Sequence, residues 1–238
     1  RFVYSLALLR QELIAMGESQ ATIVVSSREK RILKLLPKVG RKVFHIPLPR
    51  DLEVGHRSFS DRTSIGFIGG YDHQPNIDAV TYFLDAIWPT IHNLAPDITF
   101  KLAGSKMPED LTAKASSIEG VEVVGFVENT YDFFNDLKVS VAPLRFGAGV
   151  KGKVLTSILH GVPVVASRVA AEGMELRAGV EIEIHSRPQD FARAVVRLYS
   201  DETQWKRMRE DGLRTTRLKY SQQTVSNAID KMVCELGS

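Results

Sequence analysis

From Thr63 onward the chain alternates short apolar runs with helix-patterned stretches, and this alternation constrains the fold more than any single motif. SIGFIG (64–69), ITFKLAG (98–104), VEVVGFV (121–127), KVSVAPL (138–144), VPVVAS (162–167) and EIEIHS (181–186) read as strands. Helical patterns lie between them: from Asn76 or Asp78 to Asn93, from Pro108 to Ser117, a short helix or turn over Tyr131–Asp136, and Lys153–His160. Pro89 is expected to bend or end the first. Pro188 suits the first turn of another, reaching Tyr199, and two more are expected over 201–219 and 221–236. Repeated strand-then-helix units predict right-handed crossovers and an α/β fold with a mostly parallel sheet, Rossmann-like, covered by helices on both faces. Near-continuous apolar strands such as VPVV agree, because such strands are buried on both sides.

The first fifty residues are organised differently. Phe2–Met16 predicts a helix with leucines at 6, 9 and 13 on one stripe, which Gly17 can end. ATIVVS (21–26) and KVFHIPL (42–48) are strand candidates, separated by a helix that Ser26 or Ser27 caps and Pro37 stops. Two strands and two helices are too few for an independent domain of the same class. Residues 1–50 therefore read as the tail of a preceding domain, 51–62 (DLEVGHRSFSDR) as a polar linker, and 63–238 as the Rossmann-like domain.

Open α/β sheets bind ligands beyond the C-terminal ends of their strands, so the strand-end loops are the places to search. GGYDHQPN (69–76) follows the first strand; Gly69 and Gly70 permit close backbone approach and His73 can hydrogen-bond a ligand, although an ordinary turn with a surface histidine reads the same way. GAGVKGK (147–153) lies between a strand and a helix. Lysines near a helix N-terminus oppose its dipole, and a phosphate would reconcile them with it; a solvated loop is the plainer reading. Neither loop is a GxGxxG nucleotide fingerprint, and Val154 stands where a P-loop needs a hydroxyl.

Taken in order, FIGGYDHQPNIDAV, ITFKLAG, the stretch from VVGFVENTYDFF to LRFGAGVKGKVLTSILHGVPVVAS, and RVAAEGM resemble the donor-binding half of retaining GT-B glycosyltransferases of family four. The resemblance covers Thr63 to the C-terminus, and residues 1–50 more loosely. It implies a glycosyltransferase, specifically a hexosyltransferase and part of a longer chain, that moves sugar from a nucleotide-diphosphate-sugar donor (a UDP- or GDP-sugar) to a saccharide, lipid-linked or protein acceptor. By the same resemblance Gly69 and Gly70 line the diphosphate side. Phe126 lies at the base, and Gly147, Gly149, Val150, Lys151 and Lys153 face sugar and phosphates. Glu172 falls in a loop near the donor's sugar or phosphates, although a carboxylate at a helix start reads the same way. Lys153 is the preferred phosphate ligand and Lys151 the second. The physical logic stands apart from the name: leaving-group charge develops on a diphosphate, and fixed cations aimed there act most in the transition state.

Three departures accompany the resemblance. Many members carry two glutamates eight positions apart; here the matching positions are Ala148 and Thr156, and a hydroxyl lacks the charged acceptor expected at the ribose. Gly70 occupies the place of a common arginine after the first strand. Most of the acceptor-side domain is absent, so no catalytic residue is assigned and this stretch alone is expected to be inactive. A catalytically degenerate nucleotide-sugar-binding or scaffold homologue is the alternative, and a sugar-nucleotide epimerase using His73, Glu172 and His185 is a third reading.

The remaining candidates read as structure. His160 closes a helix, His45 lies inside a strand, His185 ends one, and Trp88 and Trp205 fall on helical packing positions. No metal is expected: the histidines and the single Cys234 lack zinc spacing, DFFND places its acids at helix spacing, and no DxD pair ends a strand. No GxSxG elbow is present. Formal net charge is +3 over 238 residues, so no nucleic-acid partner is implied. No apolar stretch approaches the roughly 20 residues of a membrane span. The expected location is cytoplasmic, extending to the inner face of a membrane; peripheral contact through PKVGRK (37–42) is an open expectation, and the oligomeric state is not determined.

Overall fold

The computed structural model describes residues 2–50 and 53–237, with side chains described from Ala7. Asp51, Leu52 and the side chain of Leu6 lie outside the described residues. So do the start of the expected linker and the first leucine of the N-terminal stripe. The chain divides into two compact units, Arg1–Arg50 with Leu218–Ser238, and Asp51–Arg217.

In the first unit, α1 (Phe2–Glu18) leads to β1 (Thr22–Val24), α2 (Ser27–Leu33), a 3-10 turn at Gly40–Lys42 and β2 (Val43–His45). The strands pair in parallel, Thr22 opposite Val43 and Val24 opposite His45. Ser26 caps α2 by accepting from the Glu29 amide, as its sequence position demands. Lys42 donates to the Gly17 and Ser19 carbonyls at 3.2 and 2.9 Å, placing a cation at the carbonyl end of α1. Val24, Val39 and Val43 form a small core. The chain closes with α11 (Gln222–Gly237).

The second unit is built on β3 (Ser64–Ile68), α3 (Gln74–Tyr82), α4 (Trp88–Leu94), β4 (Thr99–Ala103), α5 (Glu109–Ser116), β5 (Val121–Gly125), α6 (Thr130–Asp136), β6 (Leu137–Ala142), α7 (Gly152–Leu159), β7 (Val164–Ala166), α8 (Arg168–Ala171), β8 (Glu183–Ile184), α9 (Pro188–Ser200) and α10 (Glu202–Tyr220), the last crossing the division. Among the described residues the sheet has six strands in the order β5-β4-β3-β6-β7-β8, all pairs parallel. Central β6 is buried along its whole length, as its uninterrupted apolar pattern predicts. Phe83, Phe100, Trp88 and Phe191 knit helices to one face; the Phe83 and Phe100 ring centroids lie 4.4 Å apart. Such pairs add about 0.5–1.5 kcal/mol each beyond the area they bury.

Two elements differ from the sequence expectation. The helix predicted to reach Asn93 is interrupted by a π turn at Phe83–Ile87, with the Trp88 amide bonded to the Phe83 carbonyl five residues back. Pro89 has no amide and would strike the preceding turn of a regular helix, so the backbone widens just before it. The last strand is shorter than EIEIHS, because only Glu183 and Ile184 pair with β7.

The opposite end of the sheet is tied together by polar side chains. Arg62, fully buried, donates from Nη1 to the carbonyls of Phe134 and Leu137 and from Nε to that of Arg57. Its guanidinium and that of Arg209 each lie over the Trp205 ring, and the indole N–H donates to the Lys138 carbonyl at 2.6 Å. Trp88 is buried too and donates to Glu119. His160 stacks on Phe134 and bonds through Nδ1 to the Glu53 carbonyl. Within the first unit, His45 meets the Val25 carbonyl at 3.3 Å.

Candidate functional site

The strand order reverses direction between β3 and β6. The chain runs outward from β3 to β4 and β5, then returns to the other side of β3. A crevice opens at such a point because the loops after the two strands diverge, and ligands of open sheets bind there. Here the two loops are residues 69–73, after β3, and 143–151, after β6.

Lys153, in the first turn of α7, links them. Its ammonium donates to Oδ1 of Asn76, and the Asn76 amide donates to the Gly70 carbonyl at 2.6 Å. The same ammonium lies 4.1 Å from the centroid of the Phe67 ring at the end of β3. Among the described residues Lys153 makes no salt bridge; Asp72 is engaged by Lys106 and Asp78 by Arg145. Burial without a counter-charge disfavours the ammonium, and the like charge of Lys151 adds to this. The Lys153 pKa is pushed down to about 7, in the direction that desolvation demands.

Glycines line the opposite wall. A Cβ on Gly69 would stand 2.8 Å from Lys153 Nζ and 2.9 Å from Asn76 Nδ2. Behind it, Gly104 at φ +138° brings its Cα so close that a Cβ would meet the Gly69 carbonyl oxygen at 1.8 Å. The neighbouring strand ends can therefore lie flat against one another only without side chains.

Lys151 is occupied differently. It is buried, and its ammonium donates to the carbonyls of Gly147, Ala148 and Gly149 at 3.2, 3.0 and 2.7 Å. All three N–H groups are thus available to hold the loop curled on itself. Gly147 and Gly149 supply the positive φ values, +130° and +73°, that the curl needs. The loop is also pinned to α3, since Arg145 pairs with Asp78 and stacks on Tyr82. Val150 packs against the main core.

Gly69, Gly70, Gly147, Gly149, Lys151 and Lys153 are thereby gathered around the start of α3. The other sequence candidates stand apart from that cluster. His73 is exposed immediately before α3, with no capping bond from its side chain. Phe126 is 74% exposed and lines a different cavity with Lys101, Val124 and Asn129. Thr156 lies one turn after Lys153, half-buried, and Glu172 follows α8, one strand over. His185 has a partner that its sequence context did not show: Glu183 accepts from it at 2.8 Å and from Arg197 at 2.9 Å. Asn76 was legible only as a helix start. Its position after QP, with a lysine 77 residues later, carries no local signal.

Among the described residues, no group of three histidine, cysteine or acidic side chains could hold a metal ion, and no helix is long and apolar enough to cross a membrane. A parallel open sheet with glycines and an ammonium without a carboxylate partner at its reversal point defines an open α/β protein of the Rossmann-like kind. Residues 62–201 match the family model described as Glycosyl transferases group 1, and the chain belongs to that family. No curated protein matches it.

Solved structures share the fold at low identity. S. aureus TarM, determined as a variant with fondaparinux, alpha-GlcNAc-glycerol and UDP, superposes with a TM-score of 0.74 at 12% identity over 90% of this chain and 43% of that one. Anabaena HepE with UDP and glucose gives 0.73 at 12%, over 91% and 63%. The pneumococcal O-GlcNAc transferase GtfA with UDP and GlcNAc gives 0.67 at 18%, over 90% and 44%. The chain thus spans less than two thirds of each. Its larger unit has the fold of the C-terminal Rossmann-like domain of GT-B glycosyltransferases.

Proposed function

We propose that the chain is the donor-binding part of a glycosyltransferase and that the crevice between β3 and β6 holds the diphosphate of a nucleotide-sugar. The observation that carries this is Lys153: an ammonium without a carboxylate partner, half-buried in the first turn of α7 and facing a glycine wall. An uncompensated cation is costly to bury, and an anion that enters with its own charge removes that cost. The α7 amides and the ammonium would converge on the leaving diphosphate oxygen, where negative charge grows as the glycosidic bond breaks. Lys151 serves the same site indirectly, by keeping the loop in shape.

Finer assignments belong to the same reading. The donor is a UDP- or GDP-sugar and the transfer proceeds with retention, as in the family-four enzymes that the sequence resembles. The relatives' UDP complexes favour the first nucleotide. The acceptor is a saccharide, a lipid-linked group or a protein, bound by a domain that residues 1–50 would complete, with 51–62 as the linker. His73, Phe126, Thr156 and Glu172 are assigned to the donor's periphery, no metal takes part, and the location is cytoplasmic.

Calorimetric titration with UDP, GDP and ADP tests the core of this. One of them is expected to bind, and Lys153→Ala should weaken it by at least tenfold, about 1.4 kcal/mol. Equal affinity in the variant would refute the role of Lys153. Thr156, standing where many members carry a glutamate, favours a second reading, a binding homologue without turnover. Donor hydrolysis by a chain that includes the full acceptor-side domain separates the two.

A further inference from the structure

Asn76 is the residue through which the crevice is organised. It is buried at 7% exposure in the first turn of α3, and its side chain faces both loops at once. The amide nitrogen donates to the Gly70 carbonyl and the amide oxygen accepts from Lys153. The ammonium is thereby held against the glycine turn and over Phe67, its other hydrogens left for a ligand. An amide does this without adding charge. A carboxylate at the same place would neutralise the ammonium and repel an anion.

The charged groups on the surrounding elements leave this arrangement uncompensated. On the turn before α3, Asp72 is taken by Lys106, and His73 is exposed. On α3, Asp78 is taken by Arg145, and on the loop before α7, Lys151 is held by three carbonyls. β3 contributes only Phe67.

Resting on the reading above, we propose that Asn76 is the positioning residue of the diphosphate site, holding Lys153 in a neutral cradle so that an arriving diphosphate is bound together with a proton drawn from solvent. The proton ends on Lys153 Nζ and no covalent bond is made or broken. With the Lys153 pKa near 7, the amine is largely uncharged above that pH until an anion arrives, and the anion favours the charged form. Uptake should therefore be small at pH 6 and approach one proton per ligand by pH 8.5, with affinity falling as pH rises across that interval. The second ionisation of a phosphate, near 6, is complete in the upper part of this range, so it does not mimic the effect.

The test is calorimetry of UDP or GDP, whichever binds, at pH 6, 7.5 and 8.5, each in two buffers of different ionisation enthalpy, which reports protons directly. Wild type should show the rising uptake. Asn76→Asp should keep Lys153 charged throughout, abolish the uptake and lower affinity at pH 7.5 by roughly tenfold or more. Asn76→Ser, tested alongside with circular dichroism and thermal melting as a folding control, should lower affinity without restoring proton-free binding. If Asn76→Asp binds as wild type does, with the same uptake, the inference fails while the diphosphate reading stands. Wild type binding without uptake at pH 8.5, in a chain where Lys153→Ala abolishes binding, overturns the inference in the same way. If no nucleoside diphosphate binds wild type, both are overturned.

Discussion

Single residues in this crevice divide into those that fill space and those that must leave it. Gly104 and Gly69 differ in what an added methyl group would strike. At Gly104 the obstacle is backbone, the Gly69 carbonyl oxygen at 1.8 Å, in a conformation that side chains rarely adopt. Gly104→Ala is therefore expected to cost about 3 kcal/mol or more, read as a lowered urea midpoint. At Gly69 the obstacles are the flexible end of Lys153 and the amide of Asn76. Gly69→Ala should leave most of the stability, losing about 1 kcal/mol, but displace the ammonium and, on the proposed function, weaken binding of whichever nucleoside diphosphate binds wild type at least tenfold in the same calorimetric assay. Both glycines stand out in the sequence, as GG after one strand and LAG at the end of the next, but their opposed consequences follow from which atoms face them. Lys151 and Lys153 likewise look equivalent as a KGK pair. One turns its ammonium into its own loop and the other across to α3, because only the second sits within the helical turn that faces Asn76.

At the scale of elements, buried polar ties decide how the strands are set. Arg62 serves the end of α6 and the start of β6 together, through Phe134 and Leu137. Arg62→Met would remove three charge-assisted hydrogen bonds, to the carbonyls of Phe134, Leu137 and Arg57, and a loss of about 3–5 kcal/mol in unfolding free energy by urea titration is expected. Arg62→Lys should recover only part, since one ammonium cannot reproduce the guanidinium's planar fork or its stacking on Trp205. The order of strands and helices was readable because each strand is an apolar run and each helix has its own period. The π turn before Pro89 was readable only as a break. Its form depends on packing Phe83, Leu84 and Ile87, all buried, while accommodating the proline.

For the whole molecule, the desolvated lysine couples folding to pH. Lys153 has a folded pKa near 7 against about 10.4 in an unfolded chain. Between those values the unfolded state binds more protons, so the group's contribution to stability rises with pH across that window and its penalty is complete below it. Lys153→Met should therefore stabilise the chain relative to wild type at pH 6, with the difference shrinking toward pH 10. Thermal melts of both proteins in the same buffers measure this, and a constant difference would contradict it. Binding of a diphosphate should raise the wild-type melting temperature most at low pH, where the ammonium is already charged.

Hydrophobic periodicity by itself determined the class of fold, the sequence of strands and helices, and the two strand-end loops at the sheet's reversal point, because burial on both faces of a parallel sheet writes itself into every strand. The tertiary structure alone decided which lysine reaches across to α3, that an asparagine there holds it, and that Phe126 lines a cavity with other residues. Those facts depend on side-chain directions and on contacts across 77 residues between Asn76 and Lys153, which leave no periodic trace in the chain.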